Sequence, residues 1–123
     1  MKLTPKQLAA VVKAGLIVTN ADGTAKEEEY RIIINEMNSF NITQEQGKAL
    51  IEVAEAMSVE DMVAELKGLS EQDKKYVCGY LVAIVAVDGN IHDNEAEAWQ
   101  AMCSLCEFPD VKASEALEYW KNN

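Results

Sequence analysis

The 123-residue sequence predicts a single all-α domain of about seven helices. Along most of the chain, apolar residues recur three and four positions apart, which is the spacing of one face of a helix. No segment alternates apolar and polar residues with the period of two that marks a half-buried strand. This pattern is divided into separate helices by helix caps. At each cap, a threonine or serine is followed three positions later by a glutamine or an acidic residue. We therefore predict one helical domain over residues 1–123.

The first two helices are expected on either side of Asp22-Gly23. Thr4 and Pro5 begin the first helix, because threonine caps a helix and proline fits its first turn. The second helix follows the Asp22-Gly23 turn and ends before Asn41. The apolar residues at helical spacing in these two segments are Leu8, Val11, Val12, Leu16, Tyr30, Ile33, Ile34 and Met37.

Two further helices are predicted between residues 43 and 68. Thr43 and Gln46 have the spacing of a capping box, in which each side chain bonds the backbone N–H of the other residue. Ser58 caps the next, shorter helix, which ends at Gly68 because glycine commonly terminates helices. The apolar faces of these helices are formed by Leu50, Val53, Ala54, Met57, Met62, Val63 and Leu66.

The fifth predicted helix begins after Ser70 and continues to Asp88. Its valine-rich second half, residues 77–87, would also suit a buried strand, but the capped start and the total length favour a helix. A helix that is apolar on all sides is expected at the buried centre of the domain. Its apolar stretch is well short of the about 20 residues that cross a membrane, so we expect no transmembrane segment.

The last two helices are expected after Gly89. The sixth stops at Pro109, because proline lacks the backbone N–H that a further turn would need, and the seventh runs from Asp110. The apolar residues of these helices are Trp99, Met102, Cys103, Cys106, Val111, Leu117 and Trp120.

A short acidic pattern occurs twice in the chain. In each copy an Asp-Gly pair is followed by a glutamate six positions after the glycine. The residues that carry the pattern are Asp22, Gly23, Glu29, Asp88, Gly89 and Glu95. A shift of 66 residues, taken from the two aspartates, also places apolar positions on apolar positions. The sequence thus predicts two helix-loop-helix repeats, approximately residues 4–42 and 70–108, packed across a pseudo-twofold axis. Such packing would allow the two acidic loops to approach each other.

The formal net charge of -10 would repel the phosphates of nucleic acids and the anionic face of a membrane. We therefore expect no nucleic-acid partner, and we expect cations or a basic protein surface to bind instead. The first residues, Met1 to Lys6, are polar and lead straight into a helix, so they lack a signal-peptide pattern. Together with an odd number of cysteines, this favours a cytoplasmic protein with reduced thiols.

The cysteines raise the question of a metal or redox site. Cys103 and Cys106 have a C-x-x-C spacing, which elsewhere marks zinc or redox chemistry, and the single histidine is His92. The repeat alignment, however, places Cys78, Cys103 and Cys106 on core positions, and free cysteine packs as a small hydrophobic residue. We predict that all three are buried in the core, with zinc or thiol chemistry as the alternative. No nucleophile and base can be paired, so we predict no catalytic residue and no enzyme.

The second acidic loop matches half of a calcium-binding loop of the EF-hand type. With Gly89 at the sixth position, the matching residues are Asp88, Ile91 and Glu95. Ile84 and Ala86, however, occupy the first and third positions, where oxygen ligands are required. Each loop therefore offers about two carboxylates, whereas calcium takes about 6 to 8 oxygen ligands. The candidate metal ligands are Asp22, Glu29, Asp88 and Glu95, and the candidate ions are calcium and magnesium.

An alternative explanation of the pattern needs no metal. Gly23 and Gly89 would take the left-handed conformation that ends a helix. Glu29 and Glu95 would be acidic residues in the first helical turn, where the helix dipole favours a negative charge and the side chain bonds back to the cap. This alternative does not require an aspartate before the glycine in both copies, where asparagine or serine would serve.

The residues around the second loop resemble those of TerB-like domains. The resemblance is carried by AIVAVDGNIHDNE at 83–95, by CEFP at 106–109, and by NADG at 20–23 through Glu29. It implies an all-helical domain with an internal duplication, of a kind associated with bacterial tellurite resistance and with DnaJ-type co-chaperones. Carried over by motif, the implied site residues are Asp22, Glu29, Asp88 and Glu95. The first loop departs from the second, since it has Thr24-Ala25 in place of Asn90-Ile91.

The leading functional hypothesis is a non-enzymatic TerB-like module, linked to stress or tellurite resistance, that binds a divalent cation through the two acidic loops. The alternative is an interaction or scaffold domain whose acidic surface docks a basic protein partner and whose loops are turns only.

Overall fold

The computed structural model describes residues 3–21, 27–86 and 93–123, without the side chains of residues 27–30 and 93. Within these ranges the chain forms seven α-helices and no strand, as predicted. The helices are α1 (Pro5–Thr19), α2 (Glu27–Ser39), α3 (Gln44–Ala56), α4 (Val59–Lys67), α5 (Glu71–Val85), α6 (Asp93–Leu105) and α7 (Ala113–Asn122). No helix in the described ranges is long and apolar enough to cross a membrane.

The predicted helix starts are confirmed at α1, α3, α4 and α5. The Thr4 hydroxyl accepts a hydrogen bond from the Gln7 backbone N–H at 3.1 Å, and Gln7 Oε1 accepts one from the Thr4 N–H at 3.0 Å. The same reciprocal pair forms at the start of α3, and single serine caps precede α4 and α5. Caps of this kind satisfy N–H groups that have no partner within the helix.

The last helix starts later than predicted. Instead of beginning at Asp110, α7 begins at Ala113, and its cap residue Lys112 makes no side-chain capping bond. The Val111 N–H donates to the Pro109 carbonyl at 2.9 Å, which closes a tight turn just before the helix. Val111 still packs against the core from this turn, so the sequence pattern placed an apolar contact correctly and extended the helix too far.

The fifth helix is the buried centre of the domain, as its all-apolar pattern predicted. α5 packs against α1, α2, α6 and α7, and α1 in turn packs against α3, α4 and α6. The α5 side chains that are almost completely buried are Val77, Cys78, Tyr80, Leu81 and Ile84. Burial of this many apolar side chains supplies the main driving force for folding.

The two helical hairpins α1–α2 and α5–α6 follow one backbone plan. The bounds of α5 and α6 each lie 66 positions after those of α1 and α2. The turns that follow α2 and α6 place Asn41 and Glu107, also 66 positions apart, in the left-handed conformation with φ of 61° and 55°. The hairpins pack against each other through α1 with α6 and α2 with α5. In the second acidic pattern, Asp88-Gly89 follows α5 in sequence and Glu95 belongs to α6. Both helices contact the first hairpin.

Candidate functional site

Glu95 is a buried carboxylate without a partner. It is the third residue of α6, and its exposed fraction is only 1%. Within the described part of the chain, neither carboxylate oxygen accepts a hydrogen bond. Removing an ionised carboxylate from water is costly unless a cation or several hydrogen-bond donors replace the lost hydration. Among the described residues, no hydrogen-bond donor compensates for the hydration that the Glu95 carboxylate loses.

The alternative in which Glu95 only caps its helix depends on His92, the residue before α6. A capping glutamate accepts a hydrogen bond from the N–H of the cap residue, and His92 lies outside the described residues. Glu29 is the third residue of α2, the equivalent place in the first hairpin. Its side chain lies outside the described part of the structure.

The other candidate ligands, Asp22 and Asp88, lie outside the described residues, as does His92. Within the described ranges, no group of three or more histidine, cysteine and acidic residues is placed to hold a metal ion. Of the four predicted ligands, only the Glu95 carboxylate is therefore described. The approach of the two acidic loops stays a prediction.

A second buried oxygen without a partner lies at the end of α1. Thr19 is the last residue of that helix and is fully buried, and its Oγ1 has no hydrogen-bond partner among the described residues. It lies three positions before Asp22, and α1 packs against α6, the helix of Glu95. Sequence analysis missed Thr19. The available signal was a polar residue in the last turn of an otherwise apolar helix, immediately before an acidic loop.

The other buried acid, Glu36, is fully partnered. Its exposed fraction is 6%, and it accepts hydrogen bonds from the Tyr76 hydroxyl and, at 3.1 Å, from Trp120 Nε1. Burial raises the pKa of Glu36 above its usual value, although both hydrogen bonds act to lower it. This network connects α2, α5 and α7, and sequence analysis did not identify it. Among the described residues, the fold thus supplies hydrogen-bond donors to the Glu36 carboxylate and none to Glu95.

The sulfur contacts of the three cysteines do not pair Cys103 with Cys106. Cys78 and Cys106 are buried as predicted, whereas Cys103 is only half-buried. Cys103 Sγ lies 3.8 Å from Cys78 Sγ, while Cys106 Sγ lies 3.8 Å from Met102 Sδ. The two sulfurs of the C-x-x-C spacing therefore contact different partners.

Comparison with known proteins places this arrangement in a family. A family model described as "Tellurite resistance protein TerB" matches residues 8–118. The chain belongs to the TerB family. A crystal structure of a protein of unknown function, PG1108 from Porphyromonas gingivalis W83, is similar with a TM-score of 0.86 and 32% sequence identity. That comparison covers 100% of this chain and 99% of the other. No curated protein matches the chain at a significant level.

The TerB match confirms the resemblance carried by residues 83–95, and the similar crystal structure supports the all-helical fold. Because that structure belongs to a protein of unknown function, it carries no argument about activity. Glu95, buried and without a hydrogen-bond partner among the described residues, is the most distinctive side chain of this TerB domain.

Proposed function

We propose that this TerB domain is a non-enzymatic module that binds a divalent cation, calcium or magnesium, through its two acidic loops. The ligands would be the carboxylates of Asp22, Glu29, Asp88 and Glu95. The observation that carries the proposal is the buried Glu95 carboxylate, whose two oxygens have no hydrogen-bond partner in the described structure. A cation would replace the hydration that Glu95 loses on folding.

The chemistry of the residues favours a hard ion. Calcium and magnesium prefer oxygen ligands, and the four candidates are all carboxylates. Each loop by itself supplies too few oxygens, so the proposed site combines both loops and is completed by backbone carbonyls and water. The net charge of -10 adds a long-range attraction for cations.

Calorimetric titration of the full chain with calcium, magnesium and manganese tests the proposal. We expect a dissociation constant below about 1 mM for at least one ion, the weak end of the range that protein calcium sites cover. Glu95→Gln should weaken binding by about tenfold or more, because it removes one charged ligand. Asp88→Asn should act in the same direction.

Glu97→Gln is the matched control. Glu97 lies in the same helix two positions after Glu95, and its side chain is exposed, so the same change in charge is made away from the proposed site. Equal weakening by Glu95→Gln and Glu97→Gln would assign the effect to net charge alone and contradict the proposal. Binding weaker than about 1 mM for all three ions would contradict it as well.

The alternative function is an interaction domain that docks a basic protein. The net charge of -10 favours it, as does the half-exposed Ile34 (48%), which lines an open groove of about 420 Å³ together with residues of α3. This function would stand if the titrations showed no ion binding.

A further inference from the structure

Two thiols that are distant in sequence lie in contact in the fold. Cys78 Sγ on α5 and Cys103 Sγ on α6 are 3.8 Å apart, although 25 positions separate the residues. A disulfide requires about 2.05 Å between the sulfurs. Rotation about one Cα–Cβ bond moves a cysteine sulfur by an amount on the order of the remaining gap, and α5 already packs against α6. The gap between the sulfurs is therefore small enough for a change of side-chain rotamer to close it.

The contact shifts the pKa values of the two thiols in opposite directions. The hydrogen bond between the sulfurs lowers the pKa of Cys78 against the effect of burial. The same contact and burial raise the pKa of Cys103. The contact thus favours deprotonation of Cys78 over Cys103, and the thiolate is the form that reacts with oxidants.

A small oxidant can reach the pair from one side. Cys103 is half-buried and lines an open groove of about 470 Å³ together with Trp99, Ser104 and Phe108. Cys106, its neighbour in the C-x-x-C spacing, is fully buried against Met102. The groove therefore gives an oxidant access to Cys103, whose sulfur contacts that of the buried Cys78, whereas Cys106 lies apart from the groove lining.

We propose that Cys78 and Cys103 form a reversible disulfide bond when the protein meets a hydroperoxide. The thiolate of the pair attacks one oxygen of hydrogen peroxide, the O–O bond breaks, and hydroxide leaves, which produces a sulfenic acid. The second sulfur attacks the sulfenic sulfur, loses its proton and displaces water. Overall, two thiols lose two electrons and two protons, one S–S bond forms, and one peroxide is reduced to two waters. A dithiol reductant reverses the reaction.

The test treats the reduced full chain with a small excess of hydrogen peroxide, followed by alkylation of the remaining thiols and mass analysis. We expect a loss of two hydrogens and one alkylated cysteine. Cleavage after Glu95 and Glu97 separates Cys78 from Cys103, so the two fragments should stay linked until dithiothreitol is added. A bridge between Cys103 and Cys106, or oxidation to sulfinic acid without a bridge, would overturn the proposal.

Three alanine variants sharpen the test. Cys106→Ala should still form the intramolecular disulfide, whereas Cys78→Ala and Cys103→Ala should not. Circular dichroism of each variant in reductant checks that it is folded, and the half-buried position of Cys103 makes Cys103→Ala the safest of the two. An intramolecular disulfide in the folded Cys103→Ala variant would refute the proposal.

The disulfide should also change thermal stability. It would close a loop of about 25 residues between α5 and α6, so Tm should rise by roughly 5 to 10 °C on oxidation. The rise should occur in wild type and in Cys106→Ala and should disappear with dithiothreitol. If mass analysis shows that the chain carries the disulfide and its Tm is unchanged, the expected link between α5 and α6 is contradicted. The result does not depend on whether the domain binds a metal.

Discussion

At the scale of single residues, the two buried glutamates differ in the hydrogen bonds that they accept. Glu36 receives hydrogen bonds from Tyr76 and Trp120, whereas the Glu95 carboxylate receives none among the described residues. Burial without donors is expected at sites that hold a ligand, because the fold by itself does not compensate the lost hydration. Burial is thus compensated by hydrogen bonds in Glu36, and the proposed cation would compensate it in Glu95.

Replacing Glu36 should destabilise the fold without affecting ion binding. Glu36→Ala leaves the Tyr76 hydroxyl and the Trp120 N–H without their acceptor, so the free energy of unfolding should fall by about 2 to 4 kcal/mol. Urea denaturation at neutral pH measures the change. Glu52→Ala, at an exposed position of α3, is the control and should change stability by less than about 0.5 kcal/mol.

The effect of Glu36 should depend on pH. Because burial raises its pKa in the folded state above 4.5, the folded protein binds more protons than the unfolded chain between the two pKa values. The proton-linked part of the contribution of Glu36 is fully present below the unfolded pKa and is lost as pH rises through the folded pKa, whereas the hydrogen bonds to Tyr76 and Trp120 account for the rest. The stability advantage of wild type over Glu36→Ala should therefore shrink as pH increases from about 4.5. An advantage that grows over this range would show that the folded pKa is lowered.

At the scale of elements, local sequence explains where most helices start, and close packing explains how they dock. The threonine and serine caps were recognisable because they act over three residues. The docking of α7 on α5 depends on Gly79, since a Cβ there would overlap the Ala116 carbonyl oxygen and lie 2.7 Å from Trp120 Cβ. The absence of a side chain at Gly79 therefore allows α7 to bring Trp120 to Glu36.

Gly79→Ala should destabilise the protein strongly because it forces α7 away from α5. We expect a loss of about 3 kcal/mol or more, comparable to overpacking a core and losing the Glu36 contact together. The control is Gly47→Ala in α3, where the new Cβ would meet its neighbours at 3.8 Å or more. There the better helix propensity of alanine should stabilise by about 0.5 to 1 kcal/mol. Thermal unfolding measures the stability of both variants. Equal changes in Tm for Gly79→Ala and Gly47→Ala would contradict the role of Gly79 in the packing of α7 on α5.

At the scale of the whole molecule, the helix that precedes the first acidic pattern packs against the helix that carries Glu95. α1 ends in the buried Thr19, whose hydroxyl has no hydrogen-bond partner among the described residues, and α6 carries Glu95. The two helices are in contact. A cation held between the loops would therefore bridge the two hairpins and stabilise the folded state as a whole.

Bound calcium or magnesium should raise thermal stability through this bridge. At a free ion concentration about 100 times the dissociation constant, the expected stabilisation is about 2.7 kcal/mol, measured as a rise in Tm that a chelator reverses. Glu95→Gln should lose the rise, whereas Glu97→Gln should keep it. A rise of equal size in both variants would point to non-specific screening of the acidic surface.

The sequence by itself determined the fold class, the central position of α5, most helix starts and the repeat shift of 66 residues. These features depend on apolar spacing and on caps, which act between residues a few positions apart. It also singled out Glu95, because the acidic pattern recurs. The later start of α7 was missed, since the turn at Pro109 keeps Val111 in the core outside a helix.

Only the tertiary structure decided which buried groups have partners. Tyr76 and Trp120 reach Glu36 from 40 and 84 positions away, and Cys78 meets Cys103 across 25 positions. Such contacts depend on how helices dock, and no local spacing encodes them. For the same physical reason, the contact between Cys78 and Cys103 could not be found from the C-x-x-C spacing. Among the described residues, the lack of a donor to Glu95 likewise emerged only once the helices were packed.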